Sequence, residues 1–317
     1  MRRIELPVRS PFDFEATVRL LEFPVSGAIE TYTRIIDLAG SPHLLEFQSA
    51  GGRARPRLKI GLEPVGKEGA ERRDPFAAAE RITHHVFSLD HDVRSFQRQI
   101  ANDPLLRALE KAHRGLRIAR WPTLFEALTT SILSQQISTK VAMVLKRRLI
   151  ERFGRRFHLR GREYVAFPQP STIARASPEA LRALGIARTK ALSIIETARA
   201  IESGQLDADE LSRRDNAAII ARLTELPGIG RWTADWALIL YFGRTNVYPA
   251  GDLVLRALVE NYYNDGTRLA ERDVRAKAER LWGEWASYAA IYLIAGLRSG
   301  SISANAPNRV IIERDGR

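Results

Sequence analysis

The stretch with the clearest chemical content is Leu226-Pro227-Gly228-Ile229-Gly230-Arg231-Trp232-Thr233-Ala234-Asp235-Trp236, with Asp252 lying 22 residues beyond Gly230. Pro227-Gly228-Ile229-Gly230 is too short for anything but a tight hairpin between two helices. Such a hairpin leaves backbone N–H groups and the N-terminus of the second helix pointing outward, a geometry that suits a phosphate. Glycine is needed there because a Cβ would block positive φ angles and the close approach of another backbone. An ordinary corner between two helices has the same pattern. Asp252 follows a Pro-Ala-Gly turn and leads a helix, so it either caps that helix or places a negative charge beside the hairpin, and the two roles are compatible. Trp232 and Trp236, one helical turn apart, form either an aromatic wall for an electron-poor ring or part of a core. Asp235, inside the second hairpin helix, reads as structural.

Other chemistries find little support. There is no cysteine, which excludes disulfides, thiolate zinc sites and cysteine-ligated iron–sulfur clusters. The histidines (His43, His84, His85, His91, His113, His158) show no metal-ligand spacing, and adjacent His84 and His85 diverge on a helix. Asp90-His91-Asp92 has no further ligand set behind it and reads as a link between helices. No metal and no cofactor are expected. A net charge of +12 over 317 residues makes a polyanion the expected partner, nucleic acid first, although charge alone leaves ribosome-like or heparin-like binding open. No run of about 18 apolar residues exists, and Met1-Arg2-Arg3 leads into a strand-like segment rather than a signal peptide. The expectation is a soluble, cytoplasmic protein with no membrane partner, nucleoid-associated if prokaryotic.

The elements that must hold these residues fall into two kinds. Residues 1–72 are β-rich, with strand-like runs at 4–8, 30–38, 44–49 and 57–62, a hairpin turn at Ser49-Ala50-Gly51-Gly52 and a short helix within 11–21. Asp74-Pro75 and Asp103-Pro104 are helix starts, an N-cap acid followed by proline. Residues 123–153 read as two helices around Ser134-Gln135-Gln136-Ile137-Ser138, with Ser138 capping the second. On composition the Gln-Gln pair is a solvated turn or a ligand-facing surface. Residues 154–169 are basic and irregular. Pro170-Ser171 and Ser177-Pro178 begin helices, and Gly185 interrupts before 189–201. Arg188 and Lys190 there either reach phosphate or are surface charge. Residues 215–224, 231–242, 253–262, 271–285 and 286–297 are helical. The fold expected is α+β with segregated parts: a β-rich domain over 1–90, a helical domain over 91–298 with its hairpin at 215–242, and a loosely ordered tail over 299–317.

The hairpin with its downstream aspartate resembles the helix–hairpin–helix DNA glycosylase superfamily. Within it the likeness is greatest to the alkylation-repair branch, the 3-methyladenine DNA glycosylase II (AlkA-like) enzymes. Phe125-Glu126-Ala127 through Ser138 resembles that branch's block ahead of the hairpin. Leu184-Gly185-Ile186 with Lys190-Ala191 is similar to its middle helical pair, and Pro249-Ala250-Gly251-Asp252-Leu253 to its catalytic segment. The β-rich start resembles a small TATA-binding-protein-like domain. The likeness spans about residues 10–297 and is strongest over 121–256. It implies a mostly helical HhH-GPD domain in two subdomains after the sheet.

It also implies that Asp252 is the catalytic acid, that Trp232, Trp236 and Tyr288 line a base pocket, and that Gln136, Gly228, Ile229, Gly230 and Thr233 meet DNA, Gln136 as the wedge filling the gap left by a flipped nucleotide. Bifunctional members carry a lysine at the position of Trp232. Here the one lysine downstream of the hairpin is Lys277, so no amine nucleophile is in place and a monofunctional hydrolase is implied. A ring-methylated purine is already cationic, so a carboxylate that stabilises an oxocarbenium-like sugar and a water suffices, once the base has left the stack. The expected activity is removal of 3-methyladenine or 7-methylguanine from duplex DNA by a monomer. Removal of 8-oxoguanine, hypoxanthine or uracil is an alternative, as is a hairpin protein that only binds DNA. Glu284 and Ala286 beside Trp285, and Ile294, depart from some relatives and put pocket shape and substrate range in question.

Overall fold

The computed structural model describes residues 2–22, 27–38, 40–52, 54–65 and 74–305. Four strands, β1 (Arg2–Pro7), β2 (Thr31–Leu38), β3 (Ser41–Gly52) and β4 (Arg55–Pro64), form an antiparallel sheet in the order β1-β4-β3-β2. The expected turn at Ser49-Ala50-Gly51-Gly52 is strand instead: Gly51 pairs with Pro56 and Gly52 with Arg55, so the chain reverses between Gly52 and Arg55. Helix α1 (Phe14–Leu21) is capped by Asp13, and it shares a core with the sheet built from Phe14, Phe47, Ile60 and Phe87. Helix α2 (Pro75–Val86) starts on the Asp74 cap and closes that core through Ala79 and Val86.

The remainder is helical. Helices α3 (Val93–Gln99), α4 (Pro104–Ala112), α5 (Leu124–Ser134) and α6 (Thr139–Phe153) come first. Asp103, Thr123 and Ser138 each accept from a first-turn N–H, so the predicted starts are capped ends. Residues 154–169 are not simply irregular. They hold a hairpin of β5 (Arg156–Leu159) and β6 (Arg162–Val165), turning at Arg160 and Gly161, both at positive φ. Phe157, Leu159 and Tyr164 pack it against Ile35, Leu44 and Val65 of the first sheet region, an apolar alternation that the surrounding arginines hide in the sequence. Then follow α7 (Pro170–Ala174), α8 (Pro178–Arg182), α9 (Arg188–Glu202), α10 (Ala208–Ser212), α11 (Asn216–Thr224), α12 (Arg231–Leu240), α13 (Leu253–Tyr263), α14 (Glu271–Trp282) and, after a 3₁₀ turn at Gly283–Trp285, α15 (Ala286–Arg298).

One continuous apolar core runs from Val93 to Ile302. The first residues of the expected loose tail are therefore anchored. Ile302 is buried, Ser303 N–H donates to the Tyr262 hydroxyl at 3.1 Å, and Asn261 donates to Ala304 O at 2.6 Å. Residues 306–317 lie outside those described. The two halves are joined by a buried charge cluster. Glu126 on α5, 1% exposed, bonds Arg34 of β2 through one oxygen and Lys146 of α6 through the other at 2.8 Å. The Lys146 ammonium sits 3.3 Å from the centre of the Trp121 ring. Burial would raise the Glu126 carboxyl, but Arg34 and then Lys146 outweigh it and hold it at about 2.

Candidate active site

Helices α11 and α12 flank the glycine turn. Asp215 caps α11 by accepting from Ala218 N–H at 2.7 Å, whereas α12 begins at Gly230 with no side-chain cap on its first-turn N–H groups. Gly228 has φ +76°, and a Cβ on it would lie 1.9 Å from Ser193 Oγ on α9, so both backbone and packing require glycine. Gly230 differs: its backbone is extended, and a Cβ would meet nothing within 4 Å. Pro227, Gly228, Gly230 and Arg231 are exposed, while the Ile229 side chain is buried and seats the turn on the helical core.

The Gln135-Gln136 turn at the end of α5 lies against this hairpin. Gln135 Nε2 donates to Gly228 O at 2.9 Å and to Thr233 Oγ1 at 3.0 Å. Lys190, at the start of α9, donates to Leu133 O at 2.9 Å and Gln135 O at 2.6 Å, satisfying carbonyls at the open end of α5. Lys190 is thus tied to the backbone at the end of α5 rather than standing as free surface charge, and burial lowers its pKa. Thr233, expected to meet DNA, has a buried side chain whose hydroxyl accepts from Gln135 Nε2, so only its backbone in the first turn of α12 is placed to do so. Gln136 is exposed, with a left-handed backbone at φ +57°.

Asp252 is half-buried at the N-terminus of α13. Its Oδ1 accepts from Val254 N–H at 3.1 Å and Leu255 N–H at 3.2 Å, and its Oδ2 accepts from Trp232 Nε1 at 2.9 Å. Asp252 therefore caps α13 through one oxygen and meets the hairpin helix through the other. All three partners are donors, as an acceptor-only carboxylate requires. Trp236 stands edge-on to Trp232, ring centres 6.4 Å apart and planes at 71°, and is 7% exposed with its own Nε1 unpartnered among the described residues. Behind Asp252 the chain turns tightly from Tyr248, whose buried hydroxyl donates to Leu255 O at 3.2 Å and whose ring tilts against Trp282. Burial, then the Asp252 charge, push the Tyr248 hydroxyl well above its ordinary value.

Tyr288 does not join this group at the surface. It is fully buried on α15, shares a 3.0 Å hydrogen bond with His91 Nδ1 and packs among Phe96 and Trp285. The helical phase of α15 turns it inward, and burial raises its hydroxyl to about 12. Asp90-His91-Asp92 is likewise drawn into protein contacts, Asp90 to Arg120 and His91 to Tyr288, and burial followed by Arg120 takes His91 down to about 4. Lys277 donates to Asn264 Oδ1 at 2.8 Å. Ile294 is half-buried, Glu284 exposed and Ala286 buried. A cavity of about 770 Å³ opens between β2 and the helices, edged by Arg34, Phe125, Phe167 and Tyr241, and none of Trp232, Trp236 or Asp252 borders it.

Asp235 is fully buried on α12. It accepts from Arg231 Nε at 2.8 Å and from Arg275 Nη1 at 3.1 Å, and the same Arg275 nitrogen reaches Tyr248 O at 3.1 Å. Arg275 Nη2 donates to Glu271 at 2.7 Å. The Gln135-Gln136 pair reads in the sequence as a solvated turn or a ligand-facing surface, whereas the Gln135 side chain is bonded to the hairpin. Arg275 is not singled out by the sequence reading, although the i,i+4 spacings Arg231–Asp235 and Glu271–Arg275 were an available signal for it.

Residues 129–284 match the family model described as HhH-GPD superfamily base excision DNA repair protein. The chain is 33% identical over 213 residues to a DNA-3-methyladenine glycosylase of Bacillus subtilis (strain 168), covering 67% of this chain and 70% of that protein. It is 31% identical over 236 residues to DNA-3-methyladenine glycosylase 2 of Escherichia coli (strain K12), covering 74% of each. Among solved structures, the 3-methyladenine DNA glycosylase from Archaeoglobus fulgidus superposes with a TM-score of 0.77 at 28% identity, over 95% of this chain and 100% of that one.

Proposed function

The chain belongs to the HhH-GPD superfamily of base excision DNA repair proteins and is a DNA glycosylase, a hydrolase of N-glycosyl bonds, and from that premise we propose that it excises alkylated purines of the 3-methyladenine and 7-methylguanine type from duplex DNA by hydrolysis alone. The observation that carries the proposal is the hydrogen bond between Asp252 Oδ2 and the indole N–H of Trp232. It puts one carboxylate at the edge of the indole in the first turn of the hairpin helix, at the position where the resemblance gives a lyase its amine. A base methylated on a ring nitrogen carries positive charge and leaves without a proton donor, so the enzyme's task is to stabilise the sugar cation and admit water. Asp252 supplies that charge and Trp232, backed by Trp236, faces the cationic ring. Gly228 and Gly230 receive the strand's phosphates through their backbone, and Gln136 occupies the gap in the stack after flipping. Residues 91–298 form the catalytic domain in this reading and the protein acts as a monomer, since gripping one flipped nucleotide needs no symmetry.

Incubation with methylated duplex DNA, followed by identification of the free bases, tests the proposal. Release of 3-methyladenine or 7-methylguanine with an intact strand is the expected result. Absence of both sinks the substrate assignment, release of 8-oxoguanine, hypoxanthine or uracil from other substrates would replace it, and cleavage of the strand without added base would overturn the monofunctional mechanism.

A further inference from the structure

The glycine hairpin and the Asp252 loop come from separate parts of the sequence, yet the reaction proposed above requires a fixed distance between them. Among the described residues, two side-chain links run from the hairpin's second helix to that loop. One is the Trp232–Asp252 hydrogen bond, at the exposed end. The other lies behind it, where Arg275 of α14 spends one nitrogen on both sides: Nη1 is 3.1 Å from Asp235 Oδ2 on the hairpin helix and 3.1 Å from Tyr248 O at the root of the Asp252 loop. Its second nitrogen is fixed by Glu271 at 2.7 Å. The loop is short and stiff between these points. Tyr248 O also accepts from Ala250 N–H at 2.8 Å, Pro249 O accepts from Asp252 N–H at 2.9 Å, and the Tyr248 hydroxyl ties the loop root to Leu255 in the first turn of α13. A displacement at Tyr248 is therefore passed to Asp252 rather than absorbed.

We propose that Arg275 is a positioning residue for the glycosylase reaction: with Asp235 as its anchor on the hairpin helix, it sets where the Asp252 carboxylate stands relative to the strand held by the hairpin. Asp235 serves two cations. Its Oδ1 holds Arg231, 47% exposed at the first position of α12, and its Oδ2 holds Arg275. The residue that touches the strand-facing turn and the one that touches the catalytic loop thus share a single, fully buried carboxylate. Only a forked guanidinium reaches the acceptors on both sides and Glu271 together; an ammonium on a flexible stem does not reproduce that geometry. Arg275 touches neither base nor sugar in this account, and acts through Asp252.

The inference rests on the glycosylase reading, and its test begins from wild-type protein that releases methylated purines. Arg275→Ala and Arg275→Lys are compared with wild type in single-turnover excision, duplex affinity and thermal melting. The expected result is a rate lower by about 10- to 100-fold, because misplacement of a reacting group by about 1 Å has that size of effect, with affinity within about twofold. Guanidinium ion added to Arg275→Ala should restore part of the rate, and methylammonium should not. Should Arg275→Ala fail to fold, Arg275→Lys and Asp235→Asn carry the test, each expected to slow excision with affinity kept. Folded variants that excise at the wild-type rate would overturn the inference. So would a loss confined to affinity with a shallower salt dependence, which marks a phosphate contact. Wild-type protein that releases no base at all would instead overturn the reading beneath it.

Discussion

Asp252 Oδ1 is committed to the first turn of α13 and Oδ2 to the Trp232 indole, so the two oxygens are not equivalent. Replacing the carboxylate by its amide tests both at once. In Asp252→Asn, an oxygen kept on the cap turns the new NH₂ toward the indole N–H, donor against donor; the opposite orientation points it at the backbone N–H groups of α13. Either way the charge is gone. Single-turnover excision should fall about a hundredfold, on the order of 3 kcal/mol, while duplex affinity by anisotropy stays near wild type. An unchanged rate would leave only the cap role. Trp232→Phe keeps an aromatic face and removes the N–H. Loss of one hydrogen bond to a charged group predicts a fall of about tenfold in the same assay, with the protein still folded by near-UV circular dichroism.

Among the elements, the glycine turn separates structure from recognition at two positions. Gly228→Ala forces a Cβ into a left-handed backbone and onto Ser193 Oγ, and should cost about 1–3 kcal/mol in urea unfolding. Gly230→Ala meets open space and an extended backbone, so stability should hold while duplex affinity drops, because on the proposed reading the strand approaches there. Equal effects on both quantities at both sites would contradict this division. These elements were largely legible in the sequence. Asp74, Asp103, Ser138, Ser177 and Asp252 all cap the helices that their position and the following residues announce. Hidden were features that depend on contacts distant along the chain. Lys190 satisfies carbonyls at Leu133 and Gln135, and the β5–β6 hairpin is fixed by apolar packing onto a sheet a hundred residues earlier. Helical phase likewise decides that Tyr288 faces inward and Thr233 beneath Gln135, which motif resemblance alone does not resolve.

For the molecule as a whole, the Arg34–Glu126–Lys146 cluster ties the sheet to the helical half, and it carries a pH dependence. The Glu126 carboxyl sits at about 2 against an ordinary 4.5, so its contribution to stability is complete above about 4.5 and is lost as pH falls from there to about 2. Thermal melting across that window should show an acid slope that Glu126→Gln abolishes. The variant should also be less stable at neutral pH by about 3–5 kcal/mol, since two cations are left without their carboxylate. A melting profile that keeps its slope in Glu126→Gln would assign the acid sensitivity elsewhere. Gln135 has a different consequence at this scale. By bonding Gly228 and Thr233 while Lys190 holds its own carbonyl, it cross-links the turn bearing Gln136 to the glycine turn. On the reading proposed above, two turns tied at one spacing would leave the adjustment to the duplex, and excision should then be faster from steps that bend and unstack with little work than from stiff ones, as single-turnover rates on matched duplexes would show.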